Sequence, residues 1–212
     1  MKVSLKILLL LMVVQSFGQN ADSIQLRTIY DFNLSNSSCH SNLKSLCKDV
    51  GHRLSGSQSA QLAIEWAELL MQNTNLDTVY LQSLMVPHWV RGNVGLVYWK
   101  NKKGDVFQTS CTALGGSVGT NGVIEGDIVE INSWEQLEEY GKEKITGKIV
   151  FFNRPMNPTY ISTFMAYGNC VDQRHQGASR AVEYGAIGVI VRSMTLRMDK
   201  NPHTGSMGYN DS

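Results

Sequence analysis

Gly147-Lys148-Ile149-Val150-Phe151-Phe152 is a strand-length segment whose last four residues are all apolar. Such a run is typical of a strand that is buried on both faces of a parallel sheet. A helical pattern follows over residues 173–184, and a second apolar strand follows over residues 186–191. Strand, helix and strand in this order predict a β-α-β unit with a right-handed parallel crossover. The sequence therefore predicts an α/β fold for this part of the chain.

The segment before this unit consists of short strands separated by glycines. Strands are predicted over residues 94–99, 105–111 and 123–131, with a turn at 101–104 and a glycine-rich loop at 115–122. Ser133 is a candidate helix cap, and Gln136 at the third helical position matches a capping box. This pattern of short strands, glycines and one capped helix predicts a small α/β module that continues into the parallel β-α-β unit.

The first part of the chain is mostly helical by its pattern. Apolar residues recur at three-and-four spacing from residue 22 to about 75, with one helix ending at Gly51 and another starting near Gln58 after Ser55-Gly56-Ser57. A strand is predicted over 78–84, with Val79, Leu81 and Leu84 turned inward. These elements are too few for a comfortable core, which predicts the opening piece of a larger α/β domain.

The chain begins like an exported protein. Lys2 and Lys6 precede an apolar block at residues 7–14, and Ser16-Phe17-Gly18, with small residues at its two ends, follows. This order predicts a signal peptide over residues 1–18 and a secreted or periplasmic product. The block is shorter than the roughly 20 residues of a membrane-spanning helix, so no membrane association is expected.

Charge gives no reason to expect a nucleic-acid partner. Removal of the leader removes two of the 19 Lys and Arg residues, so the mature chain has 17 basic and 18 acidic residues. A basic surface patch is the usual mark of nucleic-acid binding, and this balance does not provide one.

The four cysteines leave two interpretations open. Cys39 and Cys47 lie two helical turns apart, about 12 Å along the axis, which is too far for a disulfide within one straight helix. Cys111 and Cys170 form a disulfide if the fold brings them together, and otherwise they are buried free thiols.

A series of short blocks occurs in order along the chain. The blocks are Arg53-Leu54-Ser55-Gly56-Ser57, Pro87-His88-Trp89 with Arg91-Gly92, Leu114-Gly115-Gly116-Ser117-Val118-Gly119-Thr120, Gly147-Lys148-Ile149-Val150, Gly177-Ala178 with Ala181, Gly185-Ala186, and Pro202-His203-Thr204-Gly205. This series resembles the carboxypeptidase Q-like branch of the co-catalytic di-zinc exopeptidase family, which also includes secreted bacterial aminopeptidases. The resemblance extends from about Tyr30 to the last residue.

The resemblance implies two domains after the signal peptide. Residues 19–91 correspond to the amino-terminal segment of a zinc-peptidase α/β domain. Residues 92–212 correspond to an inserted protease-associated domain that is truncated at its carboxy end. The family also implies two zinc ions as cofactors, short peptides as substrates, and a permitted homodimer.

The residues themselves do not supply a metal site. A di-zinc peptidase needs histidine and carboxylate ligands and a separate glutamate as general base. The sequence contains no His-x-Asp, no Glu-Glu downstream of one, and no His-Glu-x-x-His. The five histidines are scattered. We therefore expect no catalytic and no metal-binding residue in this chain, and we expect it to be inactive alone.

Four residues are candidates for controlling substrate access. His203 and Thr204 lie in a polar loop that is suited to act as a lid over a neighbouring active site. His88 and Arg91 mark the exit from the first domain, where the arginine could bind a carboxylate. The alternative for the second pair is a structural role at the boundary, with Trp89 packed across it.

Two function classes remain after serine hydrolysis and phosphate binding are set aside. Ser117 lacks the strand-to-helix context of a nucleophile elbow, and the loop at 115–122 lacks the lysine of a P-loop. The first class is the amino-terminal portion of a secreted zinc exopeptidase. The second is a stand-alone, non-catalytic protease-associated module that binds a partner. Without a downstream continuation, residues 22–91 are expected to expose an apolar face that the rest of a peptidase domain would cover, which predicts poor solubility or association.

Overall fold

The computed structural model describes residues 21–93, 95–197 and 199–210, which form two compact units. The units divide between His88 and Trp89. The predicted signal peptide at residues 1–18 lies outside the described residues. Among the helices that are described, none is both long enough and apolar enough to cross a membrane.

The first unit is helical, as predicted. Helix α1 covers residues 21–36, α2 covers Cys39–Ser45 and passes directly into a π-helical turn at Leu46–Val50, and α3 covers Gln58–Gln72. Gly51 ends the turn at φ +79°, a backbone conformation that glycine adopts without steric cost. Ser57 caps α3, because its side-chain oxygen accepts a hydrogen bond from the Ala60 N–H at 3.1 Å.

The predicted strand at 78–84 is wrong. These residues have no regular secondary structure, and Leu81 and Leu84 are exposed while Val79 is half-buried. A β-strand is stabilised by hydrogen bonds to a neighbouring strand, and the described residues of the first unit include no other strand with which 78–84 could pair. No described residue from 21 to 88 is buried.

The second unit opens with an antiparallel hairpin. Strand β1, Leu96–Lys100, pairs with β2, Val106–Ser110. The turn between them is organised by Asn101, whose side-chain oxygen accepts hydrogen bonds from the N–H groups of Lys103 and Asp105 at 2.9 and 3.0 Å. Gly104 completes the turn at φ +90°.

A three-stranded parallel sheet follows, and it confirms the predicted α/β class. The strands are β3 (Ile128–Ile131), β4 (Ile149–Phe152) and β5 (Gly188–Val191), in the order β3-β4-β5. Helix α4, Trp134–Ile145, connects the first pair, while α5 (Thr163–Gly168) and α6 (Asp172–Glu183) connect the second. Strand β3 is shorter than predicted, because its pairing with β4 starts only at Ile128.

Ser133 caps α4 as predicted. Its side chain accepts from the Gln136 N–H at 3.2 Å, and the Gln136 side-chain oxygen accepts from the Asn132 N–H at 2.7 Å. In the standard capping box the return bond goes to the cap residue itself, whereas here it goes one residue earlier. The two bonds together fix the exit from β3 into α4.

The buried core of the second unit has two parts. The larger cluster joins the sheet to α4 and α6 through Ile131, Leu137, Ile145, Val150, Phe152 and Ala181. The smaller cluster lies around α5 and contains Met156, Ala166, Cys170 and Met194. This second cluster supports the surface that carries His203, described below.

All four cysteines are free thiols, so the disulfide alternative for Cys111 and Cys170 is not realised. Cys170 is 1% exposed, and burial raises its pKa. The Cys111 Sγ lies 3.0 Å from the Gly95 carbonyl oxygen, and burial raises its pKa also. A raised pKa keeps both thiols protonated and weakly nucleophilic.

Candidate functional site

The loop Pro202-His203-Thr204-Gly205 is docked on the glycine-rich loop of the same unit. The Gly115 N–H donates to the Gly205 carbonyl at 2.7 Å, and the Met207 N–H donates to the Gly115 carbonyl at 2.9 Å. The His203 N–H donates to the Ser193 hydroxyl at 3.0 Å. These bonds hold the backbone of the loop in one place.

Arg91 and Thr204, two of the four access candidates, contact each other. The Arg91 Nη1 donates to the Thr204 Oγ1 at 3.1 Å and also to the Ala113 carbonyl oxygen. The Thr204 hydroxyl donates to the same Ala113 carbonyl oxygen at 3.1 Å. The guanidinium lies 5.0 Å from the centroid of the Trp89 ring. The partners of Arg91 are thus neutral oxygens and not the carboxylate that its position in the sequence suggested. Both side chains serve to fasten the 202–205 loop.

Arg174 supports the same loop and was missed by the sequence analysis. Its guanidinium donates to the Tyr167 hydroxyl and lies 3.5 Å from the Thr204 carbonyl oxygen. A Cβ at Gly205 would lie only 2.5 Å from the Arg174 Cζ, so the close approach depends on glycine. Gly205 was quoted in the resemblance, but no local pattern marks an arginine on α6 as its neighbour.

His203 lies at the edge of an open groove of about 880 Å³. The groove runs between α5 and the segment that follows β5, and its apolar lining includes Met156, Phe164, Tyr167, Met194 and Leu196. Arg197, Asp199 and His203 add ionisable groups to the lining, and all three are exposed. Of these lining residues, only His203 was predicted from the sequence, because the apolar residues lie on separate elements and share no local pattern.

A cluster of polar side chains lies at the carboxyl ends of β3 and β4, and its members hydrogen-bond to one another. Asp172 accepts hydrogen bonds from the Trp134 indole at 2.7 Å and from the Arg154 guanidinium. The Gln173 amide is 1% exposed and exchanges two hydrogen bonds with the Arg154 backbone. Burial alone would raise the pKa of Asp172, but these hydrogen bonds and the Arg154 charge outweigh it and lower the pKa. The cluster is a structural tie between β4 and α6.

His88 belongs to the first unit and is exposed. A Cβ at Gly56 would lie 2.9 Å from the His88 Cβ, and Gly56 has φ +72°. Both facts require glycine at this position. Together with the Ser57 cap, they show a structural reason for the Ser55-Gly56-Ser57 segment.

The residues described here do not form a zinc centre. They contain no group of three or more His, Cys, Asp or Glu side chains placed to hold a metal ion. His40, His52, His88, His175 and His203 are all exposed. A structural zinc site takes four protein ligands and a catalytic one usually three, so the described side chains do not fit a di-zinc group.

Three comparisons relate the chain to known proteins. It is 35% identical to carboxypeptidase Q from Xenopus laevis over 163 residues, 76% of this chain and 32% of the relative. It is 32% identical to human carboxypeptidase Q, with 78% of this chain and 33% of the relative covered. A crystal structure of a peptidase M28 precursor from Shewanella amazonensis has a TM-score of 0.76 and 28% identity, covering 91% of this chain and 42% of that one. No protein-family profile matches the chain.

Both the sequence relatives and the structural neighbour are peptidases. The chain belongs to the peptidase M28 family, as a carboxypeptidase Q-like member. The chain spans about a third of the length of these curated relatives.

Proposed function

We propose that this chain is the amino-terminal portion of a secreted or periplasmic zinc exopeptidase that removes terminal residues from short peptides. The observation that carries the proposal is the pairing of two facts. The chain matches carboxypeptidase Q over most of its own length but about a third of the relative's. Its described residues also hold no metal-binding group. The zinc ligands and the general base are then supplied by sequence that is not contained here.

Residues 92–212 are the protease-associated domain in this proposal, and they shape access to the active site. The fastened 202–205 loop supports this role. Arg91 and Arg174 both donate to Thr204, and the Gly115 N–H donates to the Gly205 carbonyl, while His203 is left exposed beside the groove. A loop with a fixed backbone and a free imidazole is suited to guide a substrate, because little conformational freedom is lost on binding.

The first test is made on the purified chain without its leader. We expect no zinc by elemental analysis and no dipeptide hydrolysis before or after chelation. Two zinc ions per chain with turnover that a chelator abolishes would contradict the assignment of the ligands to other sequence.

The second test is made on the protein in its natural source. An antibody against residues 89–210 is used to recover the polypeptide from the culture medium or periplasm, and its mass, zinc content and dipeptide turnover are measured. We expect a polypeptide longer than this chain, with zinc and chelator-sensitive exopeptidase activity. Recovery of a metal-free, inactive polypeptide of this length would support the alternative, a stand-alone binding module.

A further inference from the structure

The groove beside His203 combines a firm floor with an exposed apolar wall. Met156 and Met194 form the floor, are 6% and 7% exposed, and belong to the buried cluster around α5. Tyr167 is held by its hydrogen bond from Arg174. The wall is different, because Phe164 is 82% exposed and Leu196 is 54% exposed. A large aromatic side chain left in water beside a preformed groove is typical of a surface that receives a ligand.

The dimensions of the groove suit a small ligand. Its volume of about 880 Å³ lies within the range of roughly 300–1,000 Å³ that is usual for small-molecule sites. Such sites are mostly apolar, with a few polar groups that orient the ligand. The two methionines add adaptability, because their side chains are unbranched and polarisable.

The charges at the groove select the occupant. Arg197 offers a cation and Asp199 an anion, and both lie among the lining residues. Within the part of the chain that the structure describes, neither the Arg197 guanidinium nor the His203 imidazole has a hydrogen-bond partner. Among the described residues, the sequence neighbour that bonds to Asp199 is Asn201, whose N–H donates to Oδ1 at 2.9 Å, and no described group donates to Oδ2. A ligand with one positive and one negative end is complementary to this pair.

We propose that the groove binds a short zwitterionic peptide, a dipeptide or tripeptide, with a large apolar side chain against Phe164 and Leu196. The peptide carboxylate faces Arg197 and His203, and the peptide amino group faces Asp199. A fatty acid would satisfy only the cation, and a neutral apolar molecule would satisfy neither charge. The proposal rests on the proposed function, since it assigns the same class of substrate, and it names the residues of this chain that hold that substrate.

The test is a binding titration of the isotopically labelled chain, followed by NMR chemical shifts. Phenylalanyl-leucine is the probe, and glycyl-glycine and N-acetyl-phenylalanyl-leucinamide are its two comparisons. We expect shifts at Tyr167, Leu196 and His203 with phenylalanyl-leucine, and at least tenfold weaker binding of glycyl-glycine because its apolar surface is missing. The blocked peptide lacks both end charges and is expected to bind about three- to tenfold more weakly, as exposed ion pairs are modest.

Matched variants locate the site. Phe164→Ala is expected to weaken phenylalanyl-leucine binding about tenfold. Ile161→Ala is the control, because Ile161 is fully exposed and apolar, lies three residues away and does not line the groove. Binding in this control should be unchanged.

Three results would overturn the proposal: no shift with any peptide, equal binding of the blocked peptide, or an equal loss in both variants. Binding of a fatty acid of similar apolar area in place of the peptide would also overturn it. The titration requires no hydrolysis, so peptide binding without any zinc-dependent activity in the natural protein would refute the proposed function alone.

Discussion

Substitution of Gly177 by alanine should destabilise the second unit. Gly177 lies within α6, where a Cβ would approach the Phe152 ring to 2.8 Å at Cε2 and 2.9 Å at Cδ2. Phe152 is 2% exposed and packs edge-on against Trp134 with ring centroids 5.5 Å apart. The rigid ring therefore has little room to retreat, and either α6 or β4 must shift.

The magnitude follows from two opposing effects. Overpacking a core by a methyl group costs about 1–3 kcal/mol, and replacing glycine by alanine inside a helix returns about 1 kcal/mol. A contact of 2.8 Å against a confined ring belongs to the upper part of that range, about 2–3 kcal/mol, so the net loss is about 1–2 kcal/mol. In urea, with a slope of about 2 kcal/mol per molar, the unfolding midpoint should fall by about 0.5–1 M.

The assay is urea unfolding followed by circular dichroism, with hydrogen exchange at the Val150 amide as a local probe of the sheet. Gly168→Ala is the control, because Gly168 is also helical but has nothing within 4 Å of an added Cβ. This control should be neutral or slightly stabilising. Phe152→Leu combined with Gly177→Ala should lose less than the sum of the two single changes. Equal or greater stability of Gly177→Ala would refute the packing argument and leave helix propensity as the dominant effect.

Three further predictions follow from other contacts. Asp172→Asn should lower the free energy of unfolding by about 1 kcal/mol at pH 7, since the pair with Arg154 is partly exposed. Because the folded pKa of Asp172 is lowered, this stability difference should be full above about pH 4 and vanish as pH falls through the folded pKa. Urea unfolding of both proteins at a series of pH values measures it. A difference that persists at pH 2 would show that the charge is not its cause. Thiol labelling of the native protein should be fast at the exposed Cys39 and Cys47 and slower at Cys111. Cys170 should not be labelled until urea unfolds the chain. Fast labelling of Cys170 would mean that the cluster around α5 opens readily. Arg91→Lys should raise the hydrogen-exchange rate of the Gly115 and Met207 amides at least tenfold. The reason is that lysine cannot reproduce the hydrogen bonds to Ala113 and Thr204. Unchanged exchange rates would show that the backbone hydrogen bonds alone hold the loop.

The elements that local chemistry determines were predictable from sequence. Ser57 and Ser133 cap their helices as expected, and Gly51 ends its helical segment. The apolar runs at β4 and β5 predicted the parallel pair. In each case a few neighbouring residues carry the whole signal.

Elements that depend on distant partners were less predictable. The segment 78–84 has an alternating apolar pattern but forms no strand, because hydrogen bonding to a neighbour decides strand formation. Arg91 and Thr204 were both predicted as access residues, but their hydrogen bond was not predictable because they lie 113 residues apart in the sequence. Phe164, Tyr167 and Arg174 were missed altogether, since only the folded chain places them beside the 202–205 loop.

The absence of buried residues among 21–88 also bears on the biosynthesis of the protein. This unit leaves the ribosome before the second one, and its apolar side chains, such as Ile29, Phe32 and Leu34, are more than half exposed even when the helices have formed. Newly made chains that present such surface associate readily and are the usual clients of holding chaperones. Because these side chains stay exposed when the second unit has also folded, completing the last β-α-β unit does not end the need for protection.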